Sequence, residues 1–364
     1  MNHLLPWLRL QFTPGLGRIG LMRLIDHFET PENALNAASR GWPKLPGLRK
    51  GLANTVPSGN DTRIQKACQG LIKMDGWFHT IWDSDYPQVL RDIPDPPVLL
   101  YGCGNLPEGP TLAIVGTRHP SDFGRVFTEQ LAEELAAAGM VIISGLARGI
   151  DTAAHRGALN ADGKTLAVLG CGIDRVYPAE NIRIYHQIIK QGALISEYPP
   201  GSEPLPGHFP GRNRIISGLS KGTLVIEACR NSGSLITTEF ALEQGREVMA
   251  VPGGVDRKTS YGPNLLIKQG AHPVTEATEI LEILGVSRHE RGTQAHAESA
   301  DLQLSEPAGS VLSRLTLTPR HSDELTKESG LTPMELSVIL LQLELQGFAE
   351  KLPGGRYIRG RLAL

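Results

Sequence analysis

Between residues 110 and 285, short unbroken apolar runs alternate with amphipathic stretches. The runs are TLAIVG, MVIISG, KTLAVLG, ALISEYP, TLVIEAC and EVMAVP. Val, Ile and Leu runs of this length predict strands buried on both faces. The stretches between them, at 121–138, 150–160, 179–191, 211–219, 233–244 and 263–269, predict crossover helices. The expected fold class is α/β, a doubly wound and mostly parallel sheet spanning residues 106–286. Residues 1–105 read differently, as a small helical N-terminal domain punctuated by glycine and proline, with a connector ending in IPDPPVLLYGCGN. Residues 287–309 are polar and without period, and read as a linker.

The last part, residues 310–364, predicts a winged helix. A first helix is capped near Ser322, and a second starts at Thr332, with Pro333 in its first turn and Glu335 completing a capping box. Leu336, Ile339, Leu340 and Leu343 fall on one face of that helix. Gly347 ends it, and FAEKLPGGRYIR alternates around a turn as a β-hairpin does. The second helix carries no basic residue, whereas the hairpin carries Lys351, Arg356 and Arg359. A groove-reading helix presents cations or amides to the anionic wall, so docking to protein or a structural role is favoured over base reading.

Composition narrows the class. Lys and Arg number 36 against 38 Asp and Glu, a formal charge of −2, which excludes a histone-like basic protein but permits a local basic patch. Residues 1–60 hold seven basic residues against three acids, around two glycine turns, TPGLGRIG and LPGLRKG. These read either as helix-hairpin-helix phosphate contacts or as a packing module with a solvated basic face. The four cysteines, Cys68, Cys103, Cys171 and Cys229, form no C-x-x-C pair and suit a reducing cytoplasm. No apolar run approaches about 18 residues, so neither a membrane span nor a signal peptide is expected.

Candidate chemistry lies where predicted strands meet predicted helices, because helix N-termini there present free N–H groups. AIVGTRHPSDFG places Gly116, Thr117 and Arg118 at the first junction. ISGLARGIDTAAH places Ser144, Gly145 and Arg148 at the second. FPGRNRIISGLSKG brings Phe209, Arg212, Asn213 and Arg214, and ACRNSGSLITTEF brings Ser232, Gly233 and Ser234. Any one such loop reads equally as a plain strand-to-helix turn. No G-x-x-x-x-G-K-[ST] is present, and the first junction lacks G-x-G-x-x-G, so neither standard nucleotide fingerprint is met. Arginines gathered at one sheet edge favour a polyanion. Phe209 suits a base-stacking face or a core position alike.

These motifs occur in the order IVGTR-x-x-S-x-x-G, SGLA-x-GID-x-x-AH, AVLG-x-G-x-D-x-x-YP-x-x-N, SEYP, FP-x-RNRIISGLS, EA-x-x-x-SGSLIT, REV-x-AVPG and LI-x-x-GA. Over about residues 80–275 the chain closely resembles the DNA-processing protein A (DprA, or Smf) family. The resemblance implies an extended Rossmann fold that binds single-stranded DNA, protects it, forms a homodimer and loads RecA onto incoming strands during natural transformation. It implies a DNA site at Gly116, Thr117, Arg118, Ser144, Gly145, Phe209, Arg212, Asn213, Arg214, Ser232, Gly233 and Ser234. Some members carry a lysine ahead of the phenylalanine, where this chain has Gly207 and His208.

Catalysis is not expected, nor is any cofactor or metal. Asp151 and His155 share a predicted helical face and read as a hydrogen-bonded pair that fixes the SGLARGID turn. The alternative is a nucleotide N-glycosidic-bond hydrolase related to lysine-decarboxylase-like Rossmann proteins. Its PGG-x-GT-x-x-E loop is represented only in separated halves, PGGVDRKTS at 252–260 and SGSLITTE at 232–239, with Glu239 as the acid.

Overall fold

The computed structural model describes residues 3–287, 306–316 and 318–360. The N-terminal part folds as α1 (Leu4–Gln11), α2 (Arg18–Phe28), α3 (Pro31–Ala38) and α4 (Thr62–Lys73). Then follow β1 (Trp77–Thr80), α5 (Gln88–Arg91) and β2 (Leu99–Gly104). The central part runs β3 (Thr111–Val115), α6 (Asp122–Ala137), β4 (Val141–Ser144), α7 (Ile150–Asn160) and β5 (Thr165–Leu169). It continues through α8 (Ile182–Gln191), β6 (Ala193–Ser196), α9 (His208–Gly218), β7 (Gly222–Val225) and α10 (Gly233–Glu243). It closes with β8 (Glu247–Ala250), α11 (Tyr261–Lys268), β9 (His272–Pro273) and α12 (Ala277–Ile283).

Nine strands form one sheet in the order β1-β2-β6-β5-β4-β3-β7-β8-β9. From β6 to β9 every neighbouring pair is parallel, as the apolar runs predict. Alternate residues of β3 feed opposite faces, because successive strand side chains point to opposite sides. Ala113 and Val115 join the cluster beneath α9, with Ile215 and Ile216. Leu112 and Ile114 join the cluster beneath α6 and α7, with Leu131, Leu135 and Ala154. Winding proceeds from β3 to β6 on one side and from β7 to β9 on the other. The reversal therefore falls between β3 and β7, and there the crevice for a ligand opens.

Two features depart from the sequence reading. Residues 1–105 are not helical throughout: β1 pairs antiparallel with β2, and β2 antiparallel with β6, extending the sheet. The stretch LLYGCG supplies a strand because β6 presents a free edge to it, a partner invisible to local pattern. The N-terminal helices pack on this edge, with Tyr101 donating to Gln11 Oε1 at 2.6 Å. The first glycine turn does join two helices, α1 and α2. The second does not, since Gly51 in a left-handed conformation and Pro57 leave only a 3-10 turn at Leu52–Thr55.

Beyond residue 305 lie α13 (Glu306–Arg314), β10 (Arg320–His321), α14 (Ser322–Ser329), α15 (Pro333–Leu345), β11 (Ala349–Leu352) and β12 (Arg356–Arg359). Residues 288–305 of the expected linker lie outside the described residues, and α13 begins inside the stretch read as linker. The Thr332–Glu335 capping box forms as predicted. Leu336, Leu340 and Leu343 are buried with Val311, Leu325 and Ala349. The β11–β12 hairpin lies against α6: Leu352 and Ile358 pack on Val126, and Arg125 donates to Glu350 at 3.2 Å. No helix among the described residues is long and apolar enough to cross a membrane.

A candidate nucleic-acid interface at the switch point

The loops leaving β3, β4 and β7, with the start of α9, enclose a cleft of about 530 Å3. Its lining includes Gly116, Thr117 and Arg118 after β3, Phe209, Arg212 and Asn213 on α9, and Ser232, Gly233 and Ser234 opening α10. Nine of the twelve sequence-derived positions thus meet in one concavity.

Each wall has an identifiable cause. Thr117 N–H donates to the Glu227 carbonyl at 2.7 Å, and the Glu227 carboxylate accepts from Ser121 N–H and Oγ–H at 2.9 and 2.5 Å. Glu227, just beyond β7, therefore laces together the two loops that flank the switch point. Gly116 is required here: a Cβ would sit 2.6 Å from Ile150 Cγ1 and 2.9 Å from the Glu227 carbonyl. Ser232 caps α10 by accepting from Ser234 N–H, leaving that helix start facing the cleft.

The arginines divide sharply. Arg118 is exposed, with its guanidinium 5.6 Å from the Phe209 ring centroid. Arg212 lies 5.9 Å from the same ring centroid but is only 4% exposed. Its Nη1 donates to the carbonyls of Gly145, at 2.7 Å, and Val168, and its Nε donates to Asn213 Oδ1 at 3.2 Å. Gly145 lets this guanidinium approach: a Cβ there would fall 2.3 Å from Nη1. Phe209 is half-buried, with both guanidiniums within cation–π reach and Tyr177 beside it at 5.6 Å between ring centroids.

Beneath them, Asp151 is buried, and its Oδ2 accepts from Gly145 N–H and Ala147 N–H at 3.1 and 3.3 Å. Burial pushes this carboxyl above its ordinary value, opposed first by Arg212 and then by those amides. Asp151 fixes the SGLARGID turn, but not through His155. That ring is fully buried, and its Nδ1 meets Thr165 Oγ1 at 2.7 Å.

Three expected positions lie elsewhere. Ser144 is wholly buried, its Oγ donating to the Ile114 carbonyl at 2.7 Å, and Gly145 lines a smaller recess beside Arg148 and Tyr177. Arg214 turns away from the cleft and pairs with Glu197 at 2.7 Å and Asp95 at 3.1 Å. The reason is helical: residues two apart on α9 point to nearly opposite sides. Arg148 is exposed at the rim and paired with Glu180 at 2.7 Å. His208, at the position of the absent lysine, stacks on Tyr198 and meets the Gly170 carbonyl. Sequence reasoning missed Glu227 and Tyr177; their only local signals were an acid directly after an apolar run and an aromatic beside Pro178.

Residues 77–285 match the family described as DNA recombination-mediator protein A, more than half the chain, and residues 295–355 match the DprA winged helix domain. The chain belongs to the DprA/Smf family. It is 34% identical to Protein Smf of Synechocystis sp. over 97% of its own length and 98% of that protein. It is 43% identical to Protein Smf of Escherichia coli over 77% of each chain. Among solved structures, DNA processing protein A of Streptococcus pneumoniae superposes with a TM-score of 0.65 at 36% identity, covering 76% of this chain and 96% of that one. The Helicobacter pylori protein, solved for its single-stranded DNA binding mode, gives 0.52 at 30% identity, covering 57% and 95%. Family membership makes this a DNA-processing protein.

Proposed function

We propose that the chain binds single-stranded DNA in the cleft between β3, β4 and β7, without acting chemically on it, and delivers it to a RecA-type recombinase. The observation that carries this reading is the meeting of Arg118, Phe209, Arg212 and the start of α10 in one open concavity. Arg118 supplies an exposed cation to the phosphates, Phe209 a ring for one base, and the first amides of α10 a neutral anchor for the next phosphate. Arg212 acts as a positioning residue, holding the Gly145 turn and backing the Phe209 ring. A single strand fits this chemistry better than duplex because stacking on Phe209 needs an unpaired base.

Strand binding is assigned to residues 106–286, with 1–105 and 310–364 as flanking domains joined across 287–309, in a homodimer working in the cytoplasm. The hydrolase alternative is disfavoured by chemistry in the cleft. Its acid, Glu239, is exposed on α10 and outside the cleft lining, and Asp151 is spent on two amides beside Arg212.

A salt-titrated comparison of oligonucleotide, duplex and mononucleotide binding tests the reading. The expected result is preference for the single strand, with log affinity falling linearly as log salt rises. Equal binding of duplex, or release of base from a nucleoside monophosphate, overturns it. RecA delivery is tested by strand exchange on DNA precoated with single-strand-binding protein, where the chain should shorten the lag.

A further inference from the structure

Helix α15 is apolar on two opposite sides. Toward the core it presents Leu336, Leu340 and Leu343, all buried. Away from it, Met334, Val338, Leu341 and Leu345 are 80%, 61%, 56% and 80% exposed. Their spacing of four, three and four residues is that of a coiled-coil seam, and it sets a narrow stripe directly opposite the core stripe. A helix face meant for water carries charged or amide side chains, whereas four large apolar residues in a row mark an interface.

The borders of the stripe indicate what covers it. Helical geometry puts Glu335, Gln342 and Gln346 along one border and Ser337 and Glu344 along the other, and α15 contains no cation. Two cations of the same domain are already engaged. Arg320 pairs with Glu328, and Arg356 on the hairpin faces Asp122 of α6 at 3.8 Å. The hairpin of this winged helix is thus held against the central sheet domain, while its second helix faces outward.

We propose that the outer face of α15 docks an amphipathic helix of a partner protein, one whose apolar stripe is bordered by lysine or arginine. DNA does not fit: a phosphate wall would meet Glu335 and Glu344 with no cation between them. A second copy of the same face fits less well, since another α15 brings no cation to Glu335 or Glu344. This surface is separate from the cleft, and its test does not depend on strand binding.

The test uses the full chain and two labelled synthetic helical peptides sharing a leucine seam, one bordered by lysine and one by glutamate, read by fluorescence anisotropy. The lysine-bordered peptide should bind at least tenfold more tightly, and less so as salt rises. The double variant Val338→Lys/Leu341→Lys should weaken it tenfold or more while leaving oligonucleotide affinity unchanged. Both positions are exposed and lysine favours helix, so the fold survives. Glu344→Lys, which keeps the stripe, should cost several-fold by itself. Equal binding of the two peptides, or unchanged affinity in the variants, overturns the proposal. So does sedimentation showing a dimer that the double variant dissociates, which would assign the face to self-association.

Discussion

The lip and the floor of the cleft are built from the same residue types and use them in opposite ways. On the lip, Arg118 and Arg148 are exposed, and Phe209 offers part of its ring. On the floor Arg212, and behind it Arg214 on the far side of α9, are nearly sealed, and every mapped bond they make is to a carbonyl, an amide oxygen or a carboxylate of the chain itself. An exposed cation keeps its charge available for a phosphate and is screened by salt. A buried one must be fully partnered, and so becomes structure. The pair RNR therefore contributes two struts, one of which also lines the cleft, while the arginine of GTR, exposed beside Phe209, keeps its charge toward solvent.

The largest effect lies behind the floor and is separate from binding. Arg214→Met should destabilise the fold by about 3 kcal/mol, because it leaves the mostly buried Glu197 carboxylate unpaired. Urea denaturation measures it, and Arg214→Met with Glu197→Gln should recover part of the loss. A loss of strand affinity without loss of stability would move Arg214 to the lip.

Next is a pH effect from the floor. Burial, reinforced by the positive charge of Arg212, holds His155 neutral with its pKa pushed down to about 3. The unfolded chain takes up that proton near pH 6.5, so the folded state loses stability as pH falls from there toward 3. The loss is about 1.4 kcal/mol per unit from this group. Denaturation midpoints between pH 6 and 4 should therefore decline less steeply in His155→Gln. Parallel declines would mean that the ring is protonated in the fold.

On the lip, Arg118→Glu should weaken oligonucleotide binding about tenfold and flatten the salt slope, with thermal stability unchanged. Arg148→Glu should do least, about threefold at most, because Glu180 already neutralises it in solvent. Reversal of that order would exchange the roles of the two loops.

Much of the fold is legible in local pattern. Val, Ile and Leu runs announce the parallel strands, and Thr332, Pro333 and Glu335 announce the start of α15, since burial on two faces and helix capping are decided within a few residues. The antiparallel edge is not legible: Trp77–Thr80 and Leu99–Gly104 sit among turn signals, and β2 exists because β6 lies open beside it. On α15 the inner stripe was read and the outer one missed, since apolar spacing does not reveal which side meets the core.

The amino-acid order by itself determined which loops carry glycine, hydroxyl and guanidinium groups, and that these follow buried strands. Tertiary structure alone decided which of them meet and which cations remain free. That outcome depends on Glu197, Asp95, Glu180 and Glu227, which lie 17 to 119 residues from the groups they bind. Charge pairing acts through space, and only the closed sheet brings such partners within hydrogen-bonding distance.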